Sequence, residues 1–550
     1  MSWLRLWCAA FLFVVVLTSV SLAKEFIINP GYGRHFALKY GSGPNDYNPF
    51  LRLGKSAFFL LAEENWDHTI PGDGRTPGQA FIDQAYAEGF NTLRVFLMAW
   101  WRDSGGIWPD DPIISPWDRD PDTGNNYWYE DDLWWYQFGP DISHLSEALE
   151  HCSGKDMVLE ICVLDPGALA GIAQKRGDWS AGGQFLYNPY RLEQDAIPNY
   201  CDEGNPTPIT IPSFGPVQSN FAISALLRKV NEETSGYENF YLEIGNQIID
   251  SWERSGFQVA PVANESPYND CPDGTPTLLS DLLDWCAHFA AYAKGFHGSA
   301  MNGRPVTESS WNLHGNSWSA IAGADWSDIV STHSSHPADP WYLDVVEILT
   351  NMGYLRDYAK PFVDDEPNKF CVQDCSGNDW YETPWESRYH AWVTFMSGGY
   401  FTFHSQMAYE TKVEGVDQGA WSSEGLAVAH IPHFAGFFGD PRWDKWTEFT
   451  GIGAPEYYRF MPEAALAGSG PMVHIAAASV NQAASSFHYL SVLPDGSDCA
   501  VYLLDEYDQV RSEGLLSIAF SNLVPNQRYR VWWMDPKDGQ IDELTPFKAD

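Results

Sequence analysis

Three consecutive acids, Asp364, Asp365 and Glu366, close the apolar run Pro361-Phe362-Val363, and Pro367 stops it. A carboxylate held at the end of an apolar strand can serve as nucleophile or base. Crowding three of them raises the cost of ionising the whole group and pulls their pKa values apart. The same trio also suits a solvated rim or a cation. A second polar terminus is Tyr241-Leu242-Glu243-Ile244-Gly245-Asn246-Gln247, whose last two residues carry amides. Glu243 faces the same side as Gly245 and Gln247 by period-two alternation. It lies deeper, where it can orient a neighbour. Polar and aromatic residues gather at further strand ends of the same kind: Glu63 and Glu64, Arg94, Trp100 and Trp101, Asp165, Glu308, Trp311, His333, His336 and His404.

The elements that must position these groups recur at intervals. Eight β-like runs cover residues 58–66, 91–101, 156–166, 240–247, 304–311, 328–336, 360–367 and 398–405, with helical patterning between them, for example in PGQAFIDQAYAEGF and LLSDLLDWCAHFAAYAKGF. Strands alternating with helices predict a parallel sheet, and eight such units in series predict a closed (β/α)8 TIM barrel, assigned to residues 24–455. The ends of barrel strands and the loops after them form its open face, so polar groups collected there are candidates for a site. Some of them will simply cap helices or pair as ions. From residue 456 the crossover helices stop. Short alternating runs follow (MVHIAAASV, SSFHYLSVL, DCAVYLLD, LLSIAFSNL, QRYRVWWMDPKDG), predicting a small antiparallel β-sandwich over 456–550. The fold class is therefore α/β, a barrel followed by a sandwich.

Composition narrows the ligand. Asp and Glu number 73 against 32 Lys and Arg, a formal charge of −41, which repels phosphate backbones and anionic lipid and argues against a nucleic-acid partner. Aromatic residues make up 15% of the chain, with 25 Trp. Beyond those that fill the core, such rings suit the apolar faces of sugars. Residues 1–23 combine Arg5, an apolar run from Leu6 to Leu17 and a small-residue end at Ala23, the pattern of a secretory signal peptide. The alternative is an uncleaved membrane anchor. Cleavage predicts a secreted chain with no membrane association and removes Cys8. The eight cysteines left favour disulfides in an oxidising space, with Cys201–Cys271 and Cys371–Cys375 as the preferred pairs. No CxxC or clustered His spacing points to zinc. DRDPDTGNN at 118–126 matches a calcium loop only poorly and is read as an acidic loop. Asn264-Glu265-Ser266 is a glycosylation sequon. No metal or cofactor is expected, and the oligomeric state is left open.

Hydrolysis of a glycosidic bond usually employs two carboxyl groups flanking the sugar, and Glu366 is the better-placed candidate for one of them. The fourth run, YLEIGNQIID, resembles the fourth strand of the clan A glycoside hydrolases, where an Asn is commonly followed by the acid/base Glu. Together with FFLLAEENW and KPFVDDEPNKF, it is similar to the apiosidase-like branch of that superfamily. The ending WWMDPKDG resembles that of the β-sandwich accompanying those barrels, a domain named for collagen binding. The resemblance implies Glu366 as nucleophile and Asn246 as a hydrogen-bonding residue near the sugar 2-hydroxyl. It implies sugar-binding roles for His333 and His336.

Position 247 departs from the pattern, because the Gln247 amide has no acidic proton to give. Three explanations follow. Another acid can supply the proton, with Asp250, Glu308, Asp165 and Glu63 as candidates. The leaving group can depart unprotonated, as in plant myrosinases, which are similar in carrying Gln here. Or the barrel binds glycan without cleaving it, as a carbohydrate-binding pseudoenzyme. Arg94 either keeps the nucleophile ionised through a charge-assisted contact or forms a buried structural pair. Trp100, Trp101 and Trp311 are candidates for stacking on sugar, with Glu63 and Arg94 also facing the substrate. The expected activity is that of a secreted glycosidase acting on an oligo- or polysaccharide or its side chains.

Overall fold

A computed structural model of the chain describes residues 24–30, 33, 35–57, 60–61, 65–97, 142, 144–164, 210–211, 215–216, 219–246, 248, 279–295, 303–311, 317–333, 358, 360–365, 388, 390–392, 394–395, 399–403, 428–438, 472–477, 487–492, 499–504, 516–521, 525–534 and 539–548. It opens with an antiparallel sheet of three short strands, β1 (Glu25–Ile28), β2 (Phe36–Lys39) and β3 (Tyr47–Phe50). Barrel strands β4 (Leu53–Ala57), β5 (Thr92–Phe96) and β6 (Val158–Leu164) follow, with helices α1 (Pro77–Ala87) and α2 (His144–Ser153) between them. A short pair, β7 (Thr210–Ile211) and β8 (Gly215–Pro216), precedes α3 (Ser219–Glu233). Then come β9 (Phe240–Asn246), α4 (Leu279–Lys294), β10 (Val306–Trp311), α5 (Ser317–Gly323), β11 (Val330–His333), β12 (Phe362–Asp364), β13 (Gly399–Phe403) and α6 (Ile431–Phe438).

Strands β4, β5, β6, β9, β10, β11, β12 and β13 are joined in parallel and in chain order, and β13 pairs back onto β4, closing an eight-stranded barrel. Seven of the eight strands lie within the runs expected from the sequence. The first is a correction. It is Leu53–Ala57, ahead of the apolar run 58–66, where Leu60 and Leu61 form a turn and Trp66 is buried with its indole nitrogen bonded to the Leu60 carbonyl. The true strand, LGKSA, is hard to recognise because its two inward positions, Gly54 and Ser56, are small. Its outward Lys55 spans a helix layer to reach Glu88 at 2.9 Å.

Local chemistry fixes the register. Thr76 and Gln79 form a reciprocal capping box with Pro77 in the first turn of α1, satisfying donors that a helix start leaves bare. The Asn91 side chain bridges the backbone of Leu53 and Leu51, locking β4 beside β5. Outward strand residues such as Leu93, Ile161 and Leu242 pack against α1–α4 to form the main core. The floor of the barrel is closed by a second core, in which Phe26, Phe36 and Phe50 of the N-terminal sheet meet Val158, Tyr241, Val363 and Tyr400. Phe26 stacks on Tyr241 at 5.2 Å, and Phe26 N donates to the Glu238 carbonyl at 2.9 Å.

The C-terminal segment is antiparallel: β14 (Met472–Ala477) pairs with β17 (Leu516–Ser521), β15 (Phe487–Val492) with β16 (Cys499–Leu504), and β18 (Arg528–Met534) with β19 (Ile541–Lys548). Trp532, Met534 and Ile541 of the last hairpin pack against the main core. Strand β19 was not anticipated, since most of its residues are exposed and polar. The signal peptide, the 118–126 loop, the sequon and the four cysteines of the preferred disulfides lie outside the described residues. Cys152 and Cys286 are buried free thiols, and Cys162 is buried with its Sγ donating to the Leu164 carbonyl at 3.6 Å. Among the described residues no helix is long and apolar enough to cross a membrane.

Gly54 tests how tightly the interior is filled. A Cβ there would sit 2.7 Å from Thr402 Oγ1 and 3.0 Å from Arg52 Nη1, both pinned by hydrogen bonds. Gly54→Ala is expected to cost about 1–3 kcal/mol by overpacking. Urea unfolding of variant and parent measures it, and equal midpoints would show a looser interior.

Candidate active site

Because barrel strands are buried on both faces, inward polar side chains must satisfy one another. Two connected groups do so. In the first, Arg94 of β5 donates to Glu243 of β9 through Nε at 2.8 Å and Nη2 at 2.6 Å. The same Nη2 reaches Asn246 Oδ1 at 3.0 Å and Ser309 Oγ at 3.3 Å, and Ser309 Oγ also donates to Asn246 Oδ1 at 3.1 Å. Since Arg94 can only donate, Asn246 must turn its oxygen inward. Asn246 keeps 7% exposure while Arg94, Glu243 and Ser309 have none.

The second group centres on Arg52, just before β4. Its Nη2 contacts Glu160 of β6 at 2.5 Å and Asp365, at the end of β12, at 3.0 Å. Its Nε donates to the Tyr241 hydroxyl and its Nη1 to Thr402 Oγ1, both at 2.8 Å. Thr402 Oγ1 donates in turn to Asp365 Oδ1 at 2.8 Å, the Ser331 hydroxyl donates to Asp365 Oδ2, and Asp365 N donates to the Thr332 carbonyl at 2.9 Å.

Among the described residues, three carboxylates thus share two guanidiniums in a fully buried space. Their protonation divides accordingly. Burial pushes Glu160 up to about 8, helped by the nearby Asp365 and opposed by Arg52. Burial also raises Glu243 despite Arg94. Burial opposes ionisation of Asp365 too, but Arg52, Arg94, the Ser331 hydrogen bond and His333 together bring it below its ordinary value. Of the three, Glu160 is the group most inclined to keep a proton near neutral pH.

The structure brings Arg94, Asn246 and His333 to the interior and the strand ends, with His333 2% exposed on β11 beside Trp311 of β10. Of the two roles anticipated for Arg94, the described residues show the buried pair, with Glu243, and its Nη2 also holds Asn246. Glu308 is turned the other way. It is buried on the helix side of β10, where its Oε1 accepts from Ile248 N at 3.0 Å and its charge acts on Cys286 of α4. There it holds the turn that follows β9. Glu366, Gln247, Asp250, Asp165, Glu63, Trp100, Trp101, His336 and His404 lie outside the described residues, as does the Trp311 side chain. Sequence reasoning missed Arg52 and Glu160. The one available signal for Glu160 was a lone charge inside the apolar run DMVLEICVL.

No protein-family model matches the chain, and no curated protein matches it. Among solved structures, it is similar to a glycoside hydrolase family 5 protein from Bacteroides vulgatus ATCC 8482, with a TM-score of 0.47 and 10% identity over 96% of this chain and 88% of that one. It is also similar to an endo-1,4-β-mannanase from Rhizomucor miehei, with a TM-score of 0.39 and 10% identity over 74% of this chain and 98% of that one. At such identities the likeness is one of architecture, which the closed eight-stranded sheet establishes by itself.

Two outcomes test the network. Arg94→Met strands a buried Glu243 and is expected to cost about 3–5 kcal/mol, whereas Arg94→Met combined with Glu243→Leu recovers much of that loss. A double variant no better than the single one would show that the pair is not the coupled unit. Glu160, raised from 4.5 to about 8, favours the folded state while protonated. Its contribution is full below its ordinary value and is lost as pH climbs towards 8. Unfolding measured from pH 5 to pH 9 is expected to show this decline in the parent and a smaller one in Glu160→Gln. Parallel curves would place the proton elsewhere.

Proposed function

We propose that the protein is a secreted glycoside hydrolase that cleaves O-glycosidic bonds in a polysaccharide or its side chains, with Glu366 as nucleophile. The observation that carries this reading is the fixing of two strand ends. Asn246 is locked on the fourth barrel strand by Arg94 and Ser309, one residue before Gln247. Asp365 is locked after the seventh, one residue before Glu366. The family resemblance assigns the nucleophile to Glu366 and a hydrogen bond near the sugar 2-hydroxyl to Asn246, an interaction that strengthens in the transition state. The acidic, Trp-rich composition and the leader-like residues 1–23 support a secreted, carbohydrate-directed protein.

The proton donor is not residue 247. The described acids Glu160, Glu243 and Asp365 are committed to arginines, and Glu308 is turned away from the interior. The remaining candidates are Asp250, Asp165 and Glu63, and an activated leaving group would need none of them. Gln247 also motivates the second reading, a barrel that binds glycan without turnover.

A panel of aryl glycosides with activated leaving groups separates the two. The hydrolase reading expects turnover that Glu366→Gln abolishes, and Gln247→Glu is expected to raise turnover of unactivated glycans by about 10²- to 10⁴-fold, the usual worth of a general acid. Glycan binding with no hydrolysis on any substrate would favour the pseudoenzyme.

A further inference from the structure

We infer that Asp365 and the groups gripping it, Arg52, Thr402 and Ser331, are positioning residues for the catalytic carboxylate at position 366. This rests on the glycosidase reading above. Asp365 is fixed from four directions at once: by Arg52 from before the first strand, by Thr402 from the eighth, by Ser331 from the sixth, and through its backbone N by the Thr332 carbonyl. Arg52 is itself immobilised by Glu160 of the third strand and Tyr241 of the fourth. Asp365 is thus held directly by the sixth and eighth strands and by Arg52, which the third and fourth strands hold in turn, and it immediately precedes Glu366 in the sequence.

Stability alone does not account for this arrangement. A buried ion pair seldom outperforms well-packed apolar side chains of the same volume, so its retention is better explained by a demand for one defined geometry. Ångström-scale accuracy is what a nucleophile needs, since a misplacement of about 1 Å can cost ~10²-fold in rate. The grip also has an electrostatic side. Arg52 offsets the Asp365 charge. Arg94, Glu160, Glu243, Tyr241 and His333 are the other charged or titratable groups whose fields reach Asp365 or its partners.

Asp365→Ala strands Arg52 and risks unfolding the barrel, so the test uses Thr402. Thr402→Val deletes the hydroxyl that bridges Arg52 and Asp365, and Thr402→Ser restores it. On an aryl glycoside that the parent hydrolyses and Glu366→Gln does not, Thr402→Val is expected to lower kcat about 10- to 10²-fold with KM little changed, and Thr402→Ser to recover most of the loss. If Thr402→Val does not fold, Ser331→Ala, which removes the donor to Oδ2, is read the same way. An unchanged kcat, or an equal loss in Thr402→Ser, overturns the positioning role and leaves the glycosidase reading intact. A parent with no turnover, or turnover indifferent to Glu366→Gln, overturns the glycosidase reading and this inference with it.

Discussion

The interior of this barrel is organised by a shortage of positive charge. Among the described residues, Arg52 and Arg94 face Glu160, Glu243 and Asp365 with no exposure to solvent. Taking ions out of water is costly, and it is offset only when each keeps near-ideal partners. That requirement explains much of the surrounding structure. Gly54 is small because Thr402 and the Arg52 guanidinium occupy the space a Cβ would need. Tyr241 serves twice, its ring stacked on Phe26 in the floor and its hydroxyl bonded to Arg52. The N-terminal sheet closes the end from which water would otherwise reach the ions. Of the three carboxylates, Glu160 is the one most inclined to keep a proton.

The ionic groups lie beneath the mouth rather than in it, and their influence reaches the mouth through the chain. Arg94 fixes the orientation of Asn246, and Arg52 fixes the carboxylate of Asp365. Each fixed residue immediately precedes a position to which the proposed chemistry assigns a part. The arrangement also bears on the proton donor. Glu243 and Asp365 are gripped by guanidiniums as acceptors, and Glu160, which burial inclines to keep a proton, has no exposure through which to pass it to a leaving group. The described buried carboxylates of the barrel interior thus serve as scaffold.

Much of the barrel was legible in the sequence because strands and helices differ in period, and seven strands lie where the apolar runs place them. The first strand was not. FFLLAEENW has the apolar density of a strand yet begins beyond it, while LGKSA looks like a loop because its inward residues are chosen for smallness and its outward lysine pairs with a helix-end acid. The N-terminal sheet escaped for a related reason: its strands have only four residues each, too few to show a period. Glu243 was legible as an orienting residue from alternation alone. Arg52 was not, since its partners Glu160, Tyr241, Asp365 and Thr402 lie 108 to 350 positions away and no local pattern announces them.

The central claim is that Glu366 attacks sugar from a scaffold built to hold the residue before it. The most direct measurement is intact-protein and peptide mass spectrometry after incubation with 2-deoxy-2-fluoro glycosides bearing activated leaving groups, which slow release of a covalent glycosyl-enzyme. The account predicts a single stoichiometric adduct on the peptide that contains Glu366, absent from Glu366→Gln. Hydrolysis of the parent glycoside with no adduct, or an adduct on a different carboxylate, would contradict it.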